Sequence, residues 1–200
     1  IGMTYLARQS PSDPANATRL AAVSQAAEHL LQIINDILDL SKIESGMLAL
    51  EYIDFSVAEL LNKVHAMMGS KASSKGLQLD IRNDIPDVTL RGDPTRLSQV
   101  LINLVGNAVK FTQQGNVTVH ALVDRRTADQ VIVRFKVSDT GVGIPADKLA
   151  CVFDPFVQAD DSITREFGGS GLGLTITRNL VACMGGGVEV RSTPGQGSEF

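Results

Sequence analysis

Three short segments, far apart in the chain, join polar side chains to glycines, and together they constrain the fold more than any other feature. The first carries Asn103, Asn107 and Lys110 at a helical spacing. The second, residues 139–143, reads Asp-Thr-Gly-Val-Gly, and the third, residues 169–173, reads Gly-Ser-Gly-Leu-Gly. One nucleotide pocket would need segments of all three kinds, so we expect the fold to bring them to one cavity.

The first segment predicts a helix with a single polar face. Side chains four and seven positions after Asn103 lie on the same side of an α-helix as Asn103 itself. Asparagine is unfavourable inside a helix, and costly within an apolar run such as residues 100–109, unless its amide has a partner. Two hydrogen-bonded core amides are the alternative. We interpret Asn103, Asn107 and Lys110 as groups that meet a metal ion and phosphate oxygens.

In the second segment, Asp139 ends a predicted strand and is followed directly by a turn with two glycines. Gly141 and Gly143 allow the backbone to approach a flat ring closely, while the Asp139 carboxylate can accept a hydrogen bond from an exocyclic amine. For this segment alone, an ordinary strand-ending turn is the alternative. Beside the other two segments, it indicates an adenine site.

The third segment places Gly169, Gly171, Leu172 and Gly173 directly before a predicted helix. Unpaired N–H groups and the helix dipole attract phosphate at such a start, and each favourable charge interaction contributes about 0.3–1 kcal/mol. A flexible connector is one alternative. A dinucleotide fingerprint is another, but it would follow a strand directly, whereas this run follows a long polar loop. The simplest chemistry that uses all three segments is the binding of Mg-ATP.

Composition argues against several other classes of function. With 18 basic and 22 acidic residues the formal net charge is −4, so charge alone would hold neither a nucleic acid nor an anionic membrane. The two cysteines form no metal-type pair, which favours reduced thiols. No apolar run reaches the roughly 18 residues of a membrane span. We expect a cytoplasmic location without nucleic-acid or direct membrane contact, although an upstream membrane anchor stays open.

A change of hydrophobic period near Gly46 predicts two domains. Residues 1–46 read as part of a helical hairpin, broken by two prolines within residues 10–14. Its second helix has apolar or small side chains at steps of three and four, which are Leu20, Val23, Ala27, Leu30, Ile34 and Ile37. A single helix cannot bury such a stripe, so we expect a homodimer formed through the hairpin.

Residues 47–200 predict an α+β fold, a two-layer α/β sandwich in which helices cover a mixed sheet. Several of the predicted strands alternate apolar and polar residues, as strands covered on one face do. These strands are residues 49–54, 77–83, 88–91, 116–123, 131–138 and 188–192. The predicted helices are residues 56–73, 94–110 and 173–184.

Over nearly its whole length the chain resembles the kinase core of two-component sensor histidine kinases, most closely the hybrid subclass. Residues 98–112 resemble the N box of that family, 139–145 its G1 box, 153–158 its F box and 169–174 its G2 box. Residues 33–46 are similar to the second helix of the dimerisation and phosphotransfer hairpin. Four boxes in the family order make the resemblance specific.

The resemblance implies an ATP-binding catalytic domain at 47–200 that transfers the γ-phosphoryl group of ATP to a histidine of the hairpin. Residues 1–46 are the part of that hairpin present here, without the phosphoacceptor segment. From there the group would pass to an aspartate of a response-regulator receiver domain. By the same resemblance Asn107 would coordinate Mg²⁺, with Asn103 and Lys110 near the phosphates. Arg165 would reach the phosphates too, and Ser198 would lie beside the adenine-binding Asp139.

Two other functions are weighed against this interpretation. Water-activating ATPases of the same fold family, such as gyrase and MutL, resemble each other in carrying Glu where this chain has Asn103, and an amide cannot act as the base for water. A dimerising scaffold with an empty pocket is the other alternative. The family's phosphoacceptor motif would precede Ile1, so we expect Mg-ATP binding without stable phosphorylation of the chain's own histidines, which are His29, His65 and His120.

Overall fold

The computed structural model describes residues 15–86, 88–127, 130–157 and 170–200. The helices are α1 (Ala15–Glu44), α2 (Val57–Ser74), α3 (Pro94–Phe111), α4 (Ala146–Leu149) and α5 (Gly173–Cys183). The strands are β1 (Ile53–Ser56), β2 (Gln78–Asn83), β3 (Thr89–Gly92), β4 (Asn116–Arg126), β5 (Val131–Asp139), β6 (Arg191–Thr193) and β7 (Gly197–Glu199). The chain divides after Met47 into two compact units.

In the first unit, the structure describes one long helix with an exposed apolar stripe. α1 ends at Glu44, and Gly46, two residues later, has a left-handed φ of +68°. Its large apolar side chains are between 45% and 60% exposed, and they are Leu20, Leu30, Leu31, Ile34, Ile37 and Leu38. The predicted preceding helix and its proline break lie outside the described residues, so the hairpin and its dimerisation stay predictions.

The second unit contains a five-stranded mixed sheet in the order β2-β4-β5-β7-β6. β2 is parallel to β4, the other neighbours are antiparallel, and β1 pairs with β3 in a separate two-stranded sheet. Helices α2, α3 and α5 pack together, and α2 and α3 contact the sheet. The core between these layers includes Leu61, Leu101, Val119, Val137 and Leu180. The predicted two-layer α+β fold is confirmed.

Several strand boundaries differ from those predicted. The strand predicted at 49–54 corresponds to β1, which begins only at Ile53. Residues 49–52 have no regular secondary structure. The strand predicted at 188–192 is reduced to β6, and β7 was not predicted at all. β6 and β7 have three residues each, joined by a turn in which Gly195 and Gly197 have positive φ angles. Strands this short carry too few residues for an alternating pattern to be recognised.

Helix α3 runs through the second unit and has a defined start and end. Asp93 is its N-cap and accepts a hydrogen bond from the Arg96 N–H at 2.9 Å, with Pro94 in the first turn. At the other end, the Thr112 hydroxyl donates to the Ala108 carbonyl oxygen at 2.7 Å. The helix buries an apolar face and leaves its polar face half-buried, so that face is available to a ligand.

Gly106 should be a stabilising position for alanine. It lies inside α3, and a Cβ atom added there would meet no atom within 4 Å. Because glycine costs roughly 0.5–1 kcal/mol relative to alanine in a helix interior, Gly106→Ala should raise the free energy of unfolding by about that amount in urea denaturation. The control is Gly76, which also has open space but a φ of +70°. Gly76→Ala should lower stability, and a decrease for both variants would contradict this interpretation.

Candidate functional site

The Asp-Thr-Gly-Val-Gly segment lies against the C-terminal end of α3. The Val142 N–H donates to the Phe111 carbonyl oxygen at 3.3 Å. A Cβ atom on Gly141 would lie 2.5 Å from that same oxygen, so only glycine fits between the turn and the helix. The structure therefore brings the second predicted segment to the end of the first.

Asp139 is held beside this turn by backbone hydrogen bonds. Its Oδ1 accepts from the Gly141 N–H at 2.8 Å. Burial raises the pKa of Asp139 above its ordinary value, and backbone hydrogen bonds from Gly141 and Ser198 oppose that rise. The carboxylate is therefore partly desolvated, and in such an environment a hydrogen bond from an amine is stronger than in water. The Ser198 backbone lies beside the aspartate.

The β6–β7 hairpin closes over the other side of the turn. Gly143 has a φ of +69°, and a Cβ atom there would collide with the Thr193 carbonyl oxygen. Ser192 links the two pieces, since its Oγ accepts from the Ile144 N–H at 2.7 Å and donates to the Gly197 carbonyl oxygen at 2.8 Å. Ser192 was not predicted from the sequence, because a serine in a short strand gives no signal of its own.

Near the middle of α3, Asn103 meets the start of α5. Its Nδ2 donates to the Thr177 hydroxyl at 2.8 Å, and its Oδ1 would lie 2.5 Å from a Cβ atom on Gly173. The third predicted segment therefore contacts α3, the helix that the second segment also contacts. Thr177 is a further residue that the sequence did not indicate.

The residues before α5 are shaped by close backbone contacts. Gly171 has a φ of +71°, and its carbonyl oxygen accepts from the Phe156 N–H at 3.1 Å. A Cβ atom on Gly171 would lie 2.9 Å from the Phe156 Cα. The Leu172 side chain is fully buried, so only its backbone could face a ligand. Arg165 and Gly169, both predicted site residues, lie outside the described residues.

Asn107 and Lys110 complete the polar face of α3. The half-buried Asn107 side chain has no hydrogen-bond partner among the residues that the structure describes. Lys110 Nζ lies 4.6 Å from the centre of the Phe111 ring, and burial, followed by the nearby charge of Lys75, lowers the pKa of Lys110. Lys75 Nζ itself donates to the Val109 and Lys110 carbonyl oxygens, each at 2.9 Å, where a cation suits the negative end of the helix.

The donor set of this face agrees with Mg²⁺ better than with a protein-caged metal. Within the described ranges there is no cluster of three or more His, Cys, Asp or Glu side chains that could hold an ion. Mg²⁺ is usually held by one or two protein oxygens together with substrate phosphates and water. The Asn107 amide oxygen is a group of that kind, since it has no partner inside the described protein.

Two of the three histidine side chains, those of His65 and His120, are described. His65 is exposed on α2, and His120 Nε2 lies 2.6 Å from the Asp84 carboxylate on the opposite face of β4 from the buried Val119 and Ala121. The side chain of His29 lies outside the described residues. In the described part of the chain, every helix is too short or too polar to cross a membrane.

The chain matches a known protein family and several characterised relatives. The family model described as histidine kinase-, DNA gyrase B-, and HSP90-like ATPase matches residues 92–200. The sensor protein GacS of Pseudomonas syringae pv. syringae is 42% identical over 202 residues, which cover 100% of this chain and 22% of GacS. The signal transduction histidine-protein kinase BarA of Escherichia coli is 43% identical over 204 residues, covering 100% of this chain and 22% of BarA.

A solved structure, that of full-length ShkA in complex with AMPPNP, is similar over most of the chain. The match has a TM-score of 0.79 and 35% sequence identity, and it covers 94% of this chain and 38% of ShkA. This chain spans only 22% of the length of GacS and of BarA.

Proposed function

Because the chain belongs to the family of histidine kinase-, DNA gyrase B- and HSP90-like ATPases, and within it matches the sensor histidine kinases, we propose that it binds Mg-ATP and transfers the γ-phosphoryl group to a histidine. The family membership confirms the resemblance seen in the sequence. The histidine that receives the phosphoryl group, and its onward transfer to an aspartate of a response-regulator receiver domain, belong to this proposal.

A single observation carries the proposal: one helix contacts both glycine segments, each at a different point along its length. Asn103 meets Gly173, and Phe111 meets Gly141. Eight positions separate Asn103 from Phe111, which is about 12 Å of helix at a rise of 1.5 Å per residue. An elongated ligand can therefore lie along α3 with its base beside Asp139 and its phosphates beside Gly171 and Gly173.

The proposed roles follow from this orientation. Asp139 accepts from the adenine amine, while Gly141 and Gly143 let the backbone approach the ring. Lys110 offers a positive charge to the phosphates, and the start of α5 offers backbone N–H groups and the positive end of a helix dipole. When bound, Mg²⁺ neutralises charge on the phosphate oxygens, and Asn107 is the residue that would hold it.

The side chain at position 103 favours transfer to a protein nucleophile over hydrolysis. An amide has no basic site that could take a proton from water. Its Nδ2 is also bonded to Thr177, so the group is held in place. With an amide instead of a carboxylate at position 103, an imidazole nitrogen attacks the γ-phosphorus, the bond from that phosphorus to the bridging β-phosphate oxygen breaks, and ADP leaves. Positioning and electrostatic stabilisation then supply the catalysis.

The first unit suggests how the assembly is built. The exposed apolar side chains of α1 need a covering surface, because a helix with such a stripe buries it against other helices. We propose that a second copy of the chain supplies it, as a homodimer. The assignment of residues 1–46 to a phosphotransfer hairpin and of residues 47–200 to the catalytic domain is part of the same proposal, as is a cytoplasmic location.

Nucleotide-dependent thermal stabilisation tests the function. AMPPNP with Mg²⁺ at 100 times its dissociation constant should add about 2.7 kcal/mol to the free energy of unfolding. The guanine analogue is the matched control, because its ring has no exocyclic amine for Asp139 at the corresponding position. No stabilisation by either nucleotide would favour the scaffold alternative, and steady release of phosphate from ATP would favour a water-activating ATPase.

A further inference from the structure

We infer that Thr177 is a positioning residue that orients Asn103 toward the terminal phosphate of the nucleotide. The inference rests on the proposed function. Thr177 lies in the second turn of α5 and is only 1% exposed, so its hydroxyl needs a partner inside the protein. That partner is the Asn103 side chain on the neighbouring helix, at 2.8 Å.

The hydrogen bond decides which end of the amide faces the phosphate segment. An asparagine amide has a donor end and an acceptor end, and rotation by half a turn exchanges them. Thr177 accepts from Nδ2, which leaves Oδ1 directed at Gly173. Without the threonine hydroxyl, the energies of the two orientations would become similar, and the amide nitrogen would lose its partner.

The fixed acceptor matters most when a third phosphate is present. Phosphate oxygens are acceptors, so Oδ1 cannot bond to them directly, but it can accept from water molecules that surround a phosphate-bound Mg²⁺. This end of the site lies beside Asn103, far along α3 from the adenine end. A nucleotide diphosphate would not extend so far. Thr177 should therefore affect the affinity for a triphosphate more than that for a diphosphate.

The discriminating measurement is the ratio of the Kd for ADP to that for AMPPNP, each with Mg²⁺. Valine has nearly the shape of threonine without the hydroxyl, so Thr177→Val should lower this ratio by about fivefold, the effect of one hydrogen bond between uncharged groups. Thr177→Ser keeps the hydroxyl and should restore the wild-type ratio. Failure of the serine variant to restore it would overturn the inference.

Thr175 supplies the matched control on the same helix. It is also buried, and its hydroxyl donates to the Phe153 carbonyl oxygen at 2.9 Å instead of contacting Asn103. Thr175→Val removes a comparable buried hydroxyl and should leave the ratio within about twofold of the wild type. An equal fall for both valine variants would show that loss of a buried hydroxyl in α5, and not the bond to Asn103, changes the ratio.

A double-mutant cycle shows whether Thr177 acts through Asn103. In the Asn103→Ala background, Thr177→Val should change the ratio by less than about twofold, because the side chain that it orients is already absent. Additive effects would overturn the inference. The outcomes for the proposed function stay separate: a wild-type chain that binds neither nucleotide refutes the function, whereas normal binding with an unchanged ratio in Thr177→Val refutes only the positioning role.

Discussion

Replacement of Asp139 by asparagine is expected to weaken adenine-nucleotide binding by at least tenfold, while the protein stays folded. The carboxylate is the proposed acceptor for the adenine amine, and hydrogen bonds to charged groups contribute about 1.5–3 kcal/mol, or roughly 10- to 150-fold in Kd. Asparagine also carries an NH₂ group, which is a hydrogen-bond donor. It can face the adenine amine, which is itself a donor, so that no hydrogen bond forms between them. Isothermal titration with AMPPNP and Mg²⁺ measures the loss.

Stability should not fall in this variant at neutral pH. Since burial raises the pKa of Asp139 against the opposing hydrogen bonds from Gly141 and Ser198, the folded chain binds this proton more tightly than the unfolded chain does. The free energy of unfolding therefore decreases as pH rises from the ordinary aspartate pKa of 3.8 through the raised folded value. Asp139→Asn removes this decrease, so its melting temperature at pH 7 should equal or exceed that of the wild type.

Asp93 is the matched control for this experiment. It is a buried aspartate at the opposite end of α3, where it caps the helix. Asparagine is an equally good N-cap, so Asp93→Asn should keep nucleotide binding. Unchanged affinity in Asp139→Asn, or an equal loss in Asp93→Asn, would contradict the adenine assignment.

The second large effect is expected at Asn107. Because this side chain has no hydrogen-bond partner in the described part of the chain, Asn107→Ala should leave the free energy of unfolding within about 0.5 kcal/mol of the wild type. Loss of its amide oxygen from the metal should weaken AMPPNP binding in the presence of Mg²⁺ by about 100-fold or more, since even outer-shell changes at metal sites cost 10- to 100-fold.

The comparison that isolates the metal is made with and without Mg²⁺. Wild-type affinity should depend strongly on the ion, and the affinity of Asn107→Ala should depend on it weakly. Asn62, exposed on α2, offers a matched helical asparagine whose replacement by alanine should change neither quantity. If Asn107→Ala keeps the full Mg²⁺ dependence, another group holds the ion.

Local geometry explains which parts of the fold and of the site could be predicted from the sequence. The helical period of residues 94–110 gives α3 to within one residue, and the two-residue span from Asp139 to Gly141 makes their hydrogen bond a property of the turn itself. Placing Gly173 beside Asn103, by contrast, depends on how α5 packs on α3. No local rule contains that information, and it was indicated only by the need of one nucleotide pocket for all three segments and by the resemblance of the ordered motifs.

The residues that sequence reasoning missed share a physical reason. Lys75, Thr177 and Ser192 are common residue types in ordinary helix-cap, helix and strand positions, and their partners lie 34 to 74 positions away along the chain. Their roles arise only when the tertiary structure places a carbonyl, an amide or a backbone N–H within reach. The short β6–β7 hairpin is similar, because its contact with the turn after β5 gives those strands a structural role that their sequence does not reveal.

The central claim is that one nucleotide lies along α3, with its base at the Phe111 end and its phosphates beside Asn103. Backbone amide chemical shifts measured by NMR test it most directly, with adenosine and then AMPPNP plus Mg²⁺ added to the same labelled chain. Adenosine should shift the amide signals of Gly141 and Gly143 alone, and AMPPNP should shift these together with Gly171 and Gly173. Shifts confined to one pair with both ligands, or to neither pair, would contradict the account.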